Sequence, residues 1–456
     1  MRDKRRLVEW GKNVVIALLA VSALLLLQQT QFYSGAGESG SGPVHVLLSL
    51  LSGEEEEYQA AGVDWRRGTA IPPVRLAVMS SQGRAGFQYD NEEVLRLFTN
   101  FSNPLAAALT AAEPPVTSSA EEFQAALQSR NPGIYLDFLG VVPLPNLTAW
   151  LSGVQSLEGE LNDMVRRLLL TVTDEGEVML YYIDEDTGLY YSSRTSPELS
   201  ARLERLVGSA PQPNGVQFAF EAGEEYADLD PYTMLEGGAA PRPSRYTVSN
   251  PVPLTGENAG DGYGEAFESL VSRLSFHPQS MSYPSRDNSV VVQEGSERLR
   301  IYSNGQVIYD PTEADVERYP IQGSGDDPTL WELVGGAWSF VDGVLSDLCG
   351  AARLYIMDVE VPGEGQLTVR FGYQLDGAAV LVGQDGYAAQ VEITGGSITA
   401  YRFQLRSYAY LDEGPAIMPE IQAAAALYAL EGEGRELMRY YPDSLGDSVS
   451  AAWGGF

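Results

Sequence analysis

Residues 14–27, VVIALLAVSALLLL, are apolar at every position except Ser22, so the chain must bury this run or place it in lipid. Fourteen helical residues rise only ~21 Å, short of a ~30 Å hydrocarbon core. The flanks make up the difference. Trp10 on one side and Phe32 with Tyr33 on the other are aromatics suited to the two interfaces. The rise from Trp10 to Tyr33 is roughly 34 Å, which spans the core. Lys12 can snorkel back to the near surface. Arg2, Lys4, Arg5, Arg6 and Lys12 all precede the run, which places the amino terminus in the cytoplasm and the bulk of the chain outside the cell membrane. The expectation is a single uncleaved pass through residues 10–33. A cleaved signal peptide is the alternative, with the small-residue stretch Ser34-Gly35-Ala36 as its site, although that stretch lies far past the apolar run. No Cys follows the run closely, so a lipid-modified anchor is excluded. On this helix Asn13, Ala17, Ala20, Leu24 and Leu27 fall at i, i+4, i+7, i+11 and i+14, one face. Small residues and one amide on a face suit contact with another membrane helix, and these five are the candidate partner face.

The charge of the rest excludes whole classes of function. The net charge is −33, and residues 1–12 contribute +3, so the remainder carries −36. Such a surface repels nucleic acid. Lys4 and Lys12 are the only lysines, so a Walker lysine, a Schiff-base lysine and a Ser-x-x-Lys pair are impossible beyond the anchor. Cys349 is the sole cysteine, which rules out a disulfide framework and a Cys-based zinc site; its place on an apolar helical stripe makes it a buried, inert thiol. His45 and His277 cannot build a His-rich metal site, and His277, before Pro278, reads as structural. Neither HExxH nor Gly-x-Ser-x-Gly occurs. Asp184/Asp186 and Asp326/Asp327 are carboxylate pairs of the kind that 62 acidic residues produce by chance. DEDTG at 184–188 lacks the glycine and terminal glutamate of a calcium loop and reads as a hairpin turn. Gly35-x-Gly37-x-x-Gly40 matches a dinucleotide fingerprint without the strand and helix that would give it meaning. No catalytic residue, cofactor or metal is expected.

The fold class expected is α+β: one amino-terminal transmembrane helix followed by three extracytoplasmic units of antiparallel sheet with packed helices. Residues 1–33 are the cytoplasmic tip and anchor, and 34–70, with SGAGESGSG, a flexible tether. The first unit, 71–157, reads as a strand at 74–79, helices at 88–101, 104–111 and from 118 to 131, a strand at 134–139 and a short helix at 147–151. The second, 158–310, has strands at 168–173, 178–184 and 189–194, a helix at 197–207, an irregular Gly/Pro-rich stretch to 262, a helix at 265–274, and a closing hairpin with the turn Asn304-Gly305. The third, 311–456, opens on a helical stripe of Leu330, Leu333, Val334, Ala337, Val341, Val344 and Leu348. Strands follow at 353–361, 366–375, 378–382, 387–394 and 397–407, joined by turns mostly too short for parallel crossovers, and then an Ala-rich helix at 418–430.

This order carries a resemblance. Helix 265–274, SFHPQS, the hairpin RLRIYSNGQVIYDP, helix 329–348, VRFGYQLDGAAV, YAAQVEITGGSITAYRFQLRSY and AIMPEIQAAAALYAL, behind a single amino-terminal anchor, resemble the YycH family. The resemblance rests on residues 265–430 and the anchor; over 70–260 it is one of order and length. It implies a non-enzymatic extracytoplasmic accessory protein that modulates an essential sensor histidine kinase together with a YycI-like partner, through its membrane helix and external domains, with the third unit YycI-like. Two other classes stay open from the residues alone: an envelope module binding glycan or peptide on Tyr-rich surfaces, and an enzyme using paired carboxylates.

Overall fold

The computed structural model describes residues 63–64, 70–89, 91–154, 159–235, 242–254, 263–277, 279–309, 318–323, 328–363, 365–428 and 436–455. All of them belong to the unit Ala60–Phe456. The anchor and the amino-terminal part of the tether lie outside these residues, as does Asp326/Asp327. The tether's far end does not: Val63–Asp64 pairs in parallel with Ile321 and Gln322, and Ile71 is already buried.

The fold is α+β, built on two large sheets. The first has seven strands in the order Gly83–Gln88, Arg75–Ser80, Gly133–Pro143, Met164–Val172, Val178–Asp184, Tyr190–Thr195 and Val116–Thr117, every neighbouring pair antiparallel. It takes strands from both sides of the expected boundary at 157/158. The reason is in the residues: Gly133–Pro143 and Met164–Val172 are buried almost throughout, so each needs a partner on both edges and cover on both faces. The second sheet has thirteen strands and likewise crosses the expected boundary at 310/311, because Gln306–Tyr309 pairs with Tyr401–Gln404. Its centre, Arg353–Gly363, Gln366–Leu375, Ala389–Thr394 and Ser397–Gln404, is the antiparallel arrangement that the short turns require. Ala378–Val382 pairs in parallel with Leu437–Asp443, which the intervening chain is long enough to allow.

Local differences from the sequence reading have physical causes. The helices expected at 88–101 and 104–111 are one, Asn91–Thr110, running through Pro104. The backbone bond that Pro104 cannot make would end on Asn100, which is solvent-exposed, so its carbonyl is open to water and the missing bond costs little. Gly83–Gln88, GRAGFQ, is a strand without the usual alternation, since its apolar content is low and its pairing with Arg75–Ser80 decides it. The helix expected at 329–348 is Leu330–Leu345, opened by the Thr329/Glu332 capping box and ending one turn early. The strand expected at 397–407 stops at Gln404, and Ser407–Glu413 joins a separate three-stranded sheet with Ser244–Ser249 and Ser448–Ser450.

Leu330–Leu345 is buried well beyond one stripe, including Gly336, Trp338 and Phe340. Trp338 packs on Phe371 of the large sheet at 6.1 Å and on Trp150 of the helix Leu144–Ser152 at 6.0 Å. Phe340 meets Tyr319 and Tyr401, each at 5.2 Å. Asn146 donates to the Trp331 carbonyl at 3.0 Å. One continuous apolar core therefore runs from Leu76 and Phe101 to Val341 and Phe403.

Candidate functional site

The partner face Asn13, Ala17, Ala20, Leu24 and Leu27 lies outside the described residues. Among the described residues no helix is long and apolar enough to cross a membrane, and no group of three or more His, Cys, Asp or Glu is placed to hold a metal. Residues that could have carried chemistry are engaged in local structure. Asp184 takes a 2.5 Å bond from the Thr187 hydroxyl and its carbonyl takes the Gly188 N–H, which makes DEDTG a capped turn. The His277 N–H donates to Glu294, and His277 Nδ1 accepts from the Gln279 N–H at 3.1 Å. Cys349 lies just past Leu330–Leu345; its Sγ donates to the carbonyls of Ala352 and Ser346, and burial pushes the thiol up to about 11. Two open clefts of about 400 Å³ flank the helices. One is lined by Thr110, Thr148, Ser152 and Glu160, and the other by Phe98, Trp338, Asp342, Ser346, Cys349 and Arg353, where the thiol is turned to the Ala352 and Ser346 carbonyls.

Two charged arrangements stand out instead. The first is buried. Arg75 donates to Asp137 at 2.8 Å and to Glu436 at 2.7 Å; Arg166 donates to the same Asp137 at 3.1 Å and to both oxygens of Glu436; Arg167 pairs with Asp230 at 3.0 Å. Arg75, Arg166 and Asp137 sit on three adjacent strands of the seven-stranded sheet, and Glu436 directly precedes Leu437–Asp443 of the large sheet. Three guanidinium groups meet three carboxylates, so the cluster is neutral. Burial alone would disfavour the Glu436 carboxylate, but Arg166 and Arg75 hold it well below the ordinary range. The same carboxylates overcome desolvation and raise the arginines. The sequence reading missed this cluster. Its signal is a charge inside apolar strands, Arg75 in RLAVM and Arg166-Arg167 in VRRLLLTV, which has to be paired to be tolerated.

The second arrangement is on the surface. Helix Leu330–Leu345 packs on one face of the large sheet, and on the other side of Glu297–Tyr302, Gln306–Tyr309, Ala389–Thr394 and Ser397–Gln404 alternate residues such as Arg298, Arg300, Ile308, Gln390 and Arg402 are exposed or half-buried. Registers place Arg300, Ile308, Arg402, Gln390, Arg370 and Asp358 directly opposite one another, strand after strand, in one row on that side. Arg298 lies two residues from Arg300 on the same side. At one end of the row Arg370 is neutralised by Asp358 at 2.8 Å and Glu360 at 2.7 Å and reaches the Gln390 amide oxygen at 3.2 Å.

No family model and no curated protein matches the chain. Among solved structures it is similar to the crystal structure of YycH from Bacillus subtilis, with a TM-score of 0.52 and 12% identity over 87% of this chain and 96% of that chain. At this identity the likeness is one of fold, and it agrees with the resemblance carried by residues 265–430. A dehydratase domain from the CurF module of curacin polyketide synthase aligns with a TM-score of 0.12 and 9% identity, which is no likeness of fold.

Proposed function

We propose that this chain is a membrane-anchored, extracytoplasmic accessory protein of a sensor histidine kinase, acting by contact rather than by chemistry. The observation that carries the reading is the YycH-like fold extending over most of the chain, in agreement with motifs read from the sequence. The engaged states of Cys349, His277 and Asp184 agree with a protein whose polar groups serve structure. In this reading residues 10–33 cross the membrane once with the amino terminus inside, and the face of Asn13, Ala17, Ala20, Leu24 and Leu27 meets the membrane helices of the kinase and of a YycI-like partner. Each such contact is modest, about 0.6–2 kcal/mol, so several act together.

The test combines topology and coupling. A reporter active only outside the cell, fused at Phe456, should function. The full chain should co-purify with the kinase and change its autophosphorylation in proteoliposomes. Replacing Ala17 and Ala20 together by Leu keeps insertion but closes the small-residue gap, and should weaken both. A kinase indifferent to the full chain would overturn the regulatory reading. A double variant that behaves as the parent would reduce the helix to an anchor and move the contact to the external part.

A further inference from the structure

We propose that the open face of the large sheet around Arg298, Arg300 and Arg402 is a docking surface for an acidic, extended segment of a partner protein, laid across the strands. The inference is independent of whether that partner is a kinase.

Three observations carry it. First, charge is segregated. Exposed arginines without an ion pair among the described residues occur elsewhere, Arg130, Arg202 and Arg205 among them, so what marks this face is that Arg298, Arg300 and Arg402 lie together on it. Among the described residues no carboxylate lies within ion-pair distance of Arg298 or of Arg402, whose guanidinium meets the Tyr387 side chain, and Arg300 reaches only Asp287, at 3.8 Å between two exposed side chains. Arg370, in the same row, shows what neutralisation on this sheet looks like. Like charges on one sheet face repel, and an incoming carboxylate relieves that repulsion. Second, the spacing is regular. Arg300, Arg402 and Arg370 occupy alternate strands, so their backbones are about 10 Å apart, and Arg298 is about 7 Å from Arg300. A peptide in the extended polyproline II conformation, three residues per turn at ~3.1 Å each, presents an acidic residue at every third position on one face and repeats at about 9 Å, close to the spacing of the arginines. Third, the ground between the charges is partly apolar. Ile308 stands between Arg300 and Arg402, and Tyr302 continues the Arg298 and Arg300 side of its strand; both are half-buried and present a surface for the peptide's other side chains.

The same charges argue against a long, uniformly charged polymer. The attraction of a few arginines extends about 8 Å at physiological salt. A polyanion longer than the patch would run onto a surface that is otherwise acidic, whereas a short acidic segment stays on it.

The experiment uses the full chain in detergent micelles and a fluorescein-labelled synthetic peptide of serine and threonine with glutamate at every third position. Anisotropy should show saturable binding that weakens as salt rises. Arg300→Glu with Arg402→Glu should lower affinity about tenfold, from two reversed exposed pairs. Arg298→Gln with Arg402→Gln, which removes charge without reversing it, should move the same way by a smaller factor. Arg194→Glu, exposed on the seven-stranded sheet, should leave binding unchanged. All three variants should unfold thermally like the parent, since these side chains are exposed. No binding by the parent, unchanged binding by the two sheet-face variants, or an equal loss in Arg194→Glu would overturn the proposal. So would a poly(glycerol phosphate) probe that binds the parent more tightly than the peptide does.

Discussion

Glu436 takes two hydrogen bonds from the Arg166 guanidinium, each 2.5 Å, across 270 residues of sequence. A planar fork meeting a carboxylate in this way is specific in direction as well as charge. With Arg75 and Asp137 it ties the seven-stranded sheet to the start of strand Leu437–Asp443 of the large one.

Removing the Glu436 charge should therefore be expensive at neutral pH. Glu436→Gln leaves Arg75 and Arg166 buried with half of their acidic partners, at a cost of about 3–5 kcal/mol. The sign with pH follows from the shift. The folded carboxyl lies below its ordinary value of 4.5, so its contribution is complete above about pH 4.5 and is lost as pH falls toward the folded value. Urea unfolding at pH 7 and pH 3.5 should show a large gap between parent and variant that narrows in acid. A gap independent of pH would mean that the charge is not the cause.

Gly140 sets how closely the two sheets approach. A Cβ there would lie 2.0 Å from the Ile356 carbonyl oxygen, so Gly140→Ala has to push Arg353–Gly363 away from Gly133–Pro143. We expect about 2–3 kcal/mol of destabilisation. Gly343, in Leu330–Leu345, has nothing within 4 Å of its would-be Cβ. Gly343→Ala should stabilise by about 0.5–1 kcal/mol through the unfolded chain. Opposite shifts in the urea midpoint check the pair.

Val341 is fully buried beneath the large sheet. Val341→Asp places an unpaired carboxyl there, at about 3–4 kcal/mol or with neutralisation of the acid. Limited proteolysis should then cut within 311–456 under conditions that leave the parent intact. Equal resistance would show that this position tolerates water.

Cys349 provides a probe of opening. Its thiol is buried and, with its acidity reduced toward about 11, nearly all protonated at pH 8. A maleimide should label it slowly in the native chain and rapidly in urea. Fast native labelling would contradict the buried placement.

Much of this protein was legible before any coordinates. Val341, Val344 and Ala337 recur at helical spacing, and Ala389, Val391 and Ile393 alternate, because each element must turn one face to a core whatever that core is. Short turns such as Asp376-Gly377 and Gly395-Gly396 forced antiparallel pairing by geometry alone. What the sequence could not decide was which elements share a sheet. The boundaries at 157/158 and 310/311 were drawn between successive runs of expected elements, yet the bonds of Gly133–Pro143 to Met164–Val172 and of Gln306–Tyr309 to Ser397–Gln404 cross them. Hydrogen bonds between strands carry no mark of sequence distance, and neither does charge. Arg75, Arg166 and Glu436 met, and Arg300 and Arg402 came into one row, only because register and sheet order brought them level. The sequence determined the strongly periodic elements and their buried faces, since these depend on neighbours along the chain, while strands such as Gly83–Gln88 and Leu437–Asp443 form only where a partner strand receives them. The tertiary structure alone decided the partners, since those depend on neighbours in space.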